Sequence, residues 1–344
     1  MNEEYKIQIK HPRFNDEFFG YKKIEEYFLR LLRKKKLSNA YILNGIKGVG
    51  KATFAYRLAR CILDKETNLN SIDSLNISKE KEIFKNIMNL SHPDINIIEP
   101  DDENKKINLE KIKLLNKITF KTSLESNYKI IIIDSLDNFS TKKSFSSLLK
   151  LLEDCPVNCI FFLISHSLYK VPDTIKSRCQ KIYFNPIPDQ TLKKWFEKSK
   201  MLDEKKLDIL LNLSNGSLGK ALQIINNRDF FHIYSDAEKI INNFISISKT
   251  DIFNFFSSFK SNFLLEDFLF IIQINIIQNI KELIKKDNLE KEIINTYISL
   301  FFEINSKIKI FKIYDLDSLQ TLNSIKYIFV KHSENINKLK KNGQ

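Results

Sequence analysis

Cysteine is scarce in this chain, which contains only four in 344 residues. No two of them form a C-x-x-C pair, and no histidine lies close enough to complete the spacing of a zinc site. The sequence therefore predicts no metal site, and packed thiols in a reducing cytosol explain the cysteines best. The four are Cys61, Cys155, Cys159 and Cys179.

Long hydrophobic runs are also lacking. The first ten residues are polar and include acids, so we expect no secretory signal peptide there. The longest apolar runs, such as Ile130–Ile133 and Ile160–Ile164, have the length of buried strands and are far too short to cross a bilayer. The sequence predicts a soluble, cytoplasmic protein without a membrane partner.

Negative charge is the minority sign, with 42 acidic against 55 basic residues and a formal net charge of +13. A basic balance is compatible with nucleic-acid contact. The basic residues are spread along the chain, however, and no motif of a known nucleic-acid reader is present. Surface composition therefore explains the excess better than a dedicated DNA-binding patch.

Glycine is rare as well, with seven in the chain, yet three of them fall within six residues. Gly45, Gly48 and Gly50 are followed at once by Lys51, which forms a G-x-x-x-x-G-K phosphate-binding loop. A short apolar strand precedes the loop, and the helix after it directs its N-terminus at a phosphate. Backbone N–H groups would surround the phosphate oxygens, and Lys51 would supply the countercharge. The alternative is a glycine-rich turn beside a surface lysine.

Several groups needed for hydrolysis are missing from this site. Ala52 stands where a Ser or Thr hydroxyl normally binds Mg²⁺, and Thr53 is one position too late to replace it, although it could touch a phosphate. A second apolar strand ends at Asp134, which could bind Mg²⁺ or merely cap the strand. The next residue is Ser135 instead of a glutamate, and a serine is too weak a base to activate water. Asp137 is expected to lie outside the site.

The order of elements predicts the fold class and three domains. Five apolar strands alternate with helices up to residue 187, which indicates an α/β P-loop domain with a parallel five-stranded sheet covered on both faces. Two prolines, at 186 and 188, mark a boundary, and only helical patterns follow it. We expect a nucleotide-fold domain at 1–187, a small helical lid domain at 188–236 and an all-α domain at 237–344.

The segment Ser177-Arg178-Cys179 resembles a motif of the clamp-loader branch of the AAA+ ATPases. The leucine-rich segment 147–156 also resembles that branch, and it precedes an apolar strand in the same order. Residues 11–13, 48–53 and 91–94 are similar to the delta-prime family of bacterial clamp-loader subunits, and most similar to its alpha-proteobacterial members. The resemblance extends over residues 11–222.

This resemblance implies a role for Arg178 and a degenerate nucleotide site. In the family this arginine reaches the γ-phosphate of a neighbouring subunit's ATP, acting as an arginine finger in trans; a structural surface arginine is the alternative. The ATPase relatives have an arginine where Gly219 stands. The family's four-cysteine zinc module matches residues 68–90, which contain no cysteine. These departures from the family pattern predict no zinc and no required cofactor, and they leave open whether ATP or ADP binds weakly without turnover.

The partners implied by the resemblance are the other clamp-loader subunits, namely ATPase subunits and delta, in a five-membered ring held by C-terminal helical collars. The sliding clamp and primer-template DNA would be contacted through that assembly during DNA replication. Two alternatives remain open. The chain could be an active AAA+ ATPase in which Thr53 or water replaces the missing hydroxyl, or a basic DNA-binding protein with an incidental loop.

Overall fold

The computed structural model describes residues 10–100, 106–120, 123–199, 202–227, 229–244, 246–257, 265–285, 291–314 and 316–342. The chain divides into two compact units, Met1–Asn226 and Asn227–Gln344. The boundaries expected from the sequence, after residues 187 and 236, stay predictions.

The first unit is built on a five-stranded sheet in which every pairing is parallel. Its order is β2-β3-β4-β1-β5. The central strands are buried along most of their length, which is why they appear in the sequence as unbroken apolar runs. The predicted fold class, a parallel five-stranded α/β P-loop fold followed by helices, is confirmed. The strands are β1 (Ala40–Asn44), β2 (Ile95–Ile98), β3 (Lys129–Asp134), β4 (Cys159–Ser165) and β5 (Gln180–Tyr183).

Nine α-helices belong to the described part of this unit. Two of them are short, with seven and four residues. The helices are α1 (Lys22–Arg33), α2 (Lys51–Leu63), α3 (Glu82–Met88), α4 (Leu109–Thr119), α5 (Lys142–Asp154), α6 (Asp173–Lys176), α7 (Asp189–Ser199), α8 (Glu204–Ser214) and α9 (Leu218–Asn226). Short 3₁₀ turns occur at Pro12–Phe14, Leu136–Asn138 and Leu168–Lys170.

The sheet has an apolar core on each face because successive side chains of a strand point in opposite directions. On one face, Ile131 and Phe161 belong to a buried cluster with residues of α4 and α5. On the other face, the rings of Tyr41 and Phe162 stack at 5.8 Å, and Phe28 of α1 packs on Tyr41. Both faces are therefore covered, as the apolar strands predicted.

The described part of the second unit contains only helices. Tyr297 donates a hydrogen bond from its hydroxyl to the carbonyl of Ile241 at 2.7 Å, and Phe244 packs against both Tyr297 and Phe329. These contacts join three of the helices around one aromatic core. The helices are α10 (Phe230–Asn242), α11 (Lys249–Ser257), α12 (Leu265–Lys285), α13 (Lys291–Tyr314) and α14 (Ser318–Asn342).

Two further expectations concern burial. Three of the cysteines, Cys61, Cys159 and Cys179, are buried, and burial raises the pKa of each thiol to about 12. Packing thiols are therefore confirmed at these positions. Within the described residues, the helices lack the length and apolar character that a bilayer crossing needs.

Candidate nucleotide site and candidate arginine finger

The glycine loop lies at the carboxyl edge of the sheet. Strand β1, which leads into it, pairs with β4 and β5, so that Asn44 lies opposite Ser165 and Tyr183. Helix α2 begins at Lys51, directly after the loop. Strand, loop and helix therefore have the geometry of a phosphate-binding loop, with the helix N-terminus beside the site.

The ammonium of Lys51 is bound by its own loop. Its Nζ donates hydrogen bonds to the carbonyl oxygens of Gly45 at 2.7 Å and Ile46 at 2.8 Å. The side chain is 3% exposed, and this burial lowers the pKa of Lys51 to about 8, although the nearby carboxylates of Asp134 and Asp137 oppose the shift. The lysine expected to balance a phosphate therefore already has two acceptors from the protein.

A segment at the start of α9 packs directly on the loop, and we call this contact the loop clasp. The backbone N–H of Gly219 donates to the carbonyl of Gly48 at 2.8 Å, and Ser217 Oγ donates to the carbonyl of Lys47 at 2.8 Å. A Cβ at position 219 would lie 2.8 Å from the Cα of Gly48. Gly48 itself has φ +83°, a conformation that favours glycine.

The loop clasp explains why position 219 is a glycine. The position was singled out because related ATPases have an arginine there. In this structure the two backbones meet so closely that any side chain at 219 would displace the loop. Glycine at position 219 therefore allows the close backbone contact that covers the loop, and it also lacks the arginine side chain of the related ATPases.

The first turn of α2 places Ala52 and Thr53 differently. Ala52 has no side-chain oxygen for a cation. Thr53 is 9% exposed and lies among the buried residues of the helix. Its role as a phosphate contact stays a prediction.

Asp134, at the end of β3, is brought close to Lys51. Burial raises the pKa of Asp134 to about 6, and the neighbouring carboxylate of Glu99 adds to the shift, while Lys51 and His11 oppose it. Asp134 therefore carries a proton more readily than an ordinary aspartate. Near neutral pH it is still mostly ionised, so the shift alone does not prevent it from acting as a Mg²⁺ ligand.

Glu99 follows β2 at the same edge of the sheet, and the sequence reasoning missed it. Its Oε1 accepts a hydrogen bond from the hydroxyl of Tyr56 at 3.0 Å and forms an ion pair with His11 Nε2 at 3.0 Å. Burial would raise the pKa of Glu99, but these two contacts outweigh it, so the pKa is lowered. The sequence could have indicated this residue, because Glu99 directly follows one apolar strand and Asp134 ends another. Within the described residues, no three His, Cys, Asp or Glu side chains come together as a metal site.

Ser135 and Asp137 lie just beyond Asp134. Ser135 is 1% exposed, and its Oγ is a buried atom without a hydrogen-bond partner in the described structure. Asp137 accepts hydrogen bonds from the backbone N–H groups of His166 at 2.5 Å and Ser167 at 3.1 Å. It therefore holds the backbone directly after β4 in place. Its negative charge also opposes the lowering of the pKa of Lys51.

Arg178 lies at the opposite, amino edge of the sheet, because it directly precedes β5, which runs parallel to β1 towards the loop. Its side chain is 41% exposed. Nη2 forms an ion pair with Oε1 of Glu153, and Nη1 donates to the carbonyl of Thr174 at 3.1 Å. The structure thus brings the loop residues and Asp134 together and places Arg178 elsewhere. Glu153 was not predicted, since nothing in the sequence pairs residues 25 positions apart across a turn and a strand.

Comparison with known proteins identifies relatives of the first unit. Residues 20–188, just under half of the chain, match the family model described as DNA polymerase III, delta subunit. The gamma/tau subunit of DNA polymerase III from Mycoplasma genitalium is 30% identical over 226 residues, which cover 64% of this chain and 36% of the relative. The delta' subunit from Bacillus subtilis is 30% identical over 200 residues, which cover 58% of this chain and 57% of the relative. These matches support the clamp-loader family.

The coverage of these relatives is partial. The chain spans between 36% and 61% of the length of the first curated relatives that it matches. Among solved structures, a gamma subunit-related protein of DNA polymerase III from Thermotoga maritima aligns with a TM-score of 0.48 and 15% identity, covering 90% of this chain and 99% of that chain. The particular likeness to alpha-proteobacterial delta-prime subunits stays a prediction.

Proposed function

We propose that this chain is the delta-prime subunit of a DNA polymerase III clamp loader, acting in DNA replication in the cytoplasm. In this role it does not hydrolyse ATP. Instead, Arg178 contacts the γ-phosphate of ATP bound by a neighbouring ATPase subunit and stabilises the charge that develops there during transfer.

The observation that carries this proposal is the position of Arg178 at the amino edge of the sheet. The glycine loop lies at the carboxyl edge, so a distance on the order of 15 Å, about five residues of strand, separates the arginine from its own loop. The side chain is exposed. An arginine so placed cannot reach a phosphate held in its own loop, which supports an action on a nucleotide bound by a neighbouring chain.

The state of the chain's own nucleotide site supports the same proposal. Lys51 is bound to loop carbonyls, and the loop clasp covers Gly48. Ala52 supplies no metal ligand, and Ser135 supplies no base. ATP or ADP would therefore bind weakly and remain intact, and the site needs neither a cofactor nor zinc.

The second unit supports assembly with other subunits. Four exposed apolar side chains lie along α13 as two pairs, and the two members of each pair are four residues apart, which makes them neighbours on the helix surface. Phe302 is 65% exposed and Tyr314 is 70% exposed. Neighbouring exposed apolar side chains of this size are typical of a surface that another protein covers. The pairs are Ile298 with Phe302 and Ile310 with Tyr314.

The proposed partners are those that the resemblance to clamp-loader subunits implies. The C-terminal helices would join the ATPase subunits and delta in a ring of five. The sliding clamp and primer-template DNA would be bound by the assembly, to which the net charge of +13 contributes attraction for the phosphate backbone.

Reconstitution with ATPase subunits and delta tests the proposal. The assembled loader containing Arg178→Ala should form normally by size-exclusion chromatography, yet lose hydrolysis at the neighbouring site. Lys51→Ala in this chain is the matched control and should leave hydrolysis unchanged. Full turnover in the Arg178→Ala assembly would overturn the proposal. ATPase activity of the isolated chain that disappears in Lys51→Ala would favour an active ATPase instead.

A further inference from the structure

Arg178 is held from two sides by its own chain. Oε1 of Glu153, in the last turn of α5, pairs with Nη2, and the carbonyl of Thr174, in α6, accepts from Nη1. The two anchors come from different helices and reach different nitrogen atoms of one guanidinium.

Two anchors of this kind fix the plane of the guanidinium. The group is rigid and planar, so holding both terminal nitrogens determines the direction in which the remaining N–H groups point. The Thr174 anchor is a backbone carbonyl and survives any side-chain change. The Glu153 anchor is the one that a substitution can remove.

The exposure of this pair argues against a mainly structural role. Arg178 is 41% exposed and Glu153 is 39% exposed. Exposed ion pairs of this type stabilise a fold only slightly, because solvent screens them and ordering the side chains opposes them. Orientation of an exposed arginine is therefore the larger effect that the carboxylate can have.

We infer that Glu153 is a positioning residue that orients Arg178 towards the phosphate of a neighbouring subunit. This inference rests on the proposed function. The carboxylate holds one terminal nitrogen, and the side chain remains 41% exposed, so that a phosphate from outside can reach the guanidinium. Without it, the arginine would sample several rotamers, and the transition state would be contacted in only a fraction of them.

Asp154 provides a matched control within the same helix turn. It follows Glu153 directly, carries the same charge and is exposed. Glu153→Ala and Asp154→Ala each remove one negative charge and one carboxylate from this end of α5. A difference between the two variants therefore reports the contact with Arg178 and not the local field.

The test measures steady-state ATP hydrolysis by the reconstituted loader, with ATPase subunits and delta, for each variant of this chain. Glu153→Ala should lower kcat about tenfold, the range expected for a misplaced catalytic contact, while KM for ATP changes less than twofold. Glu153→Gln keeps an acceptor oxygen and should retain most of the activity. Asp154→Ala should match wild type. Arg178→Ala combined with Glu153→Ala should equal Arg178→Ala alone.

The outcomes separate this inference from the proposed function. If Arg178→Ala leaves kcat unchanged, the arginine-finger proposal itself fails. If Arg178→Ala lowers kcat but Glu153→Ala does not, or raises it, Glu153 does not position the arginine. Thermal unfolding of each free chain and gel filtration of each assembly check that the variants fold and assemble. The inference would also be overturned if the loss of ATP hydrolysis in Glu153→Ala followed from lost assembly and Glu153→Gln showed the same loss.

Discussion

The two edges of the parallel sheet hold their basic side chains in opposite states. At the carboxyl edge, Lys51 is 3% exposed and bound to carbonyls of its own loop. At the amino edge, Arg178 is 41% exposed and held by one carboxylate and one carbonyl. The first arrangement satisfies a cation inside the chain, whereas the second presents a cation to the outside. Under the proposed function, the side chain that acts on a phosphate is therefore the exposed Arg178 and not the buried Lys51.

The largest expected effect on ATP hydrolysis by the assembled loader comes from substituting Arg178, with a substitution of Lys51 as the comparison. Arg178→Lys keeps the charge but loses the planar fork, so hydrolysis at the neighbouring site should fall by about 10³-fold, as for loss of an arginine finger. Lys51→Ala in the same assembly should have no such effect. Single-turnover ATP hydrolysis measures both. Equal losses of ATP hydrolysis in Arg178→Lys and Lys51→Ala would contradict the proposed difference between the two edges of the sheet.

The next effect concerns Asp134, the half-buried carboxylate at the carboxyl edge. The pKa of Asp134 rises from 3.8 to about 6 in the folded chain. Between these values the folded chain binds more protons than the unfolded chain, so stability falls as pH rises through this window, and the cost is complete above it. Asp134→Asn should therefore raise the free energy of unfolding by up to about 3 kcal/mol at pH 7.5. The gain should vanish towards pH 4.

Urea unfolding at several pH values measures this gain, and Asp137→Asn is the contrasting variant. Asp137 accepts N–H groups from the end of β4, so its loss of charge should destabilise the chain. A destabilised Asp134→Asn at pH 7.5 would show that this carboxylate forms a favourable contact with Lys51 that outweighs its burial.

A smaller effect is expected from opening the loop clasp. Gly219→Ala places a methyl carbon 2.8 Å from the Cα of Gly48, so one backbone must move, at a cost of about 2 kcal/mol. The urea midpoint should fall accordingly. Lys47→Ala is the control, because it truncates an exposed side chain but keeps the carbonyl that Ser217 contacts. An unchanged midpoint in Gly219→Ala would mean that the loop gives way freely.

Much of the fold that places the two basic side chains at opposite edges could be predicted from the sequence, because it depends on local patterns. The buried strands are apolar runs such as the four isoleucines before Asp134, and the loop is a cluster of glycines in a chain with few others. The ends of β5 are harder to predict because they depend on its pairing with β1: the apolar side chains of this stretch are Ile182 and Phe184, whereas the strand is Gln180–Tyr183. Helix α3 has only seven residues and too few turns to show a helical period.

The rest depends on contacts between distant parts of the chain. Gly219 meets Gly48 across 171 positions, and Glu153 meets Arg178 across 25 positions. Motif comparison marked Gly219 as a missing arginine, but the close approach of two backbones has no sequence signal of its own. Asp137 was expected outside the nucleotide site, and the structure shows that it serves the end of β4 while still lying near enough to act on Lys51.

The smallest expected effect is that of the nucleotide itself on this chain. Because Lys51 must exchange two carbonyls for a phosphate and the loop clasp must open, the dissociation constant for ATP should be about 1 mM or weaker. At 1 mM ATP the free energy of unfolding should then rise by less than about 0.4 kcal/mol, which thermal unfolding with and without Mg²⁺ measures. Ser217→Ala removes one hydrogen bond of the clasp and should tighten binding, whereas Lys51→Ala should abolish it. Micromolar binding by the unmodified chain would mean that the carboxyl edge opens readily, and the two edges would then differ in catalytic groups alone.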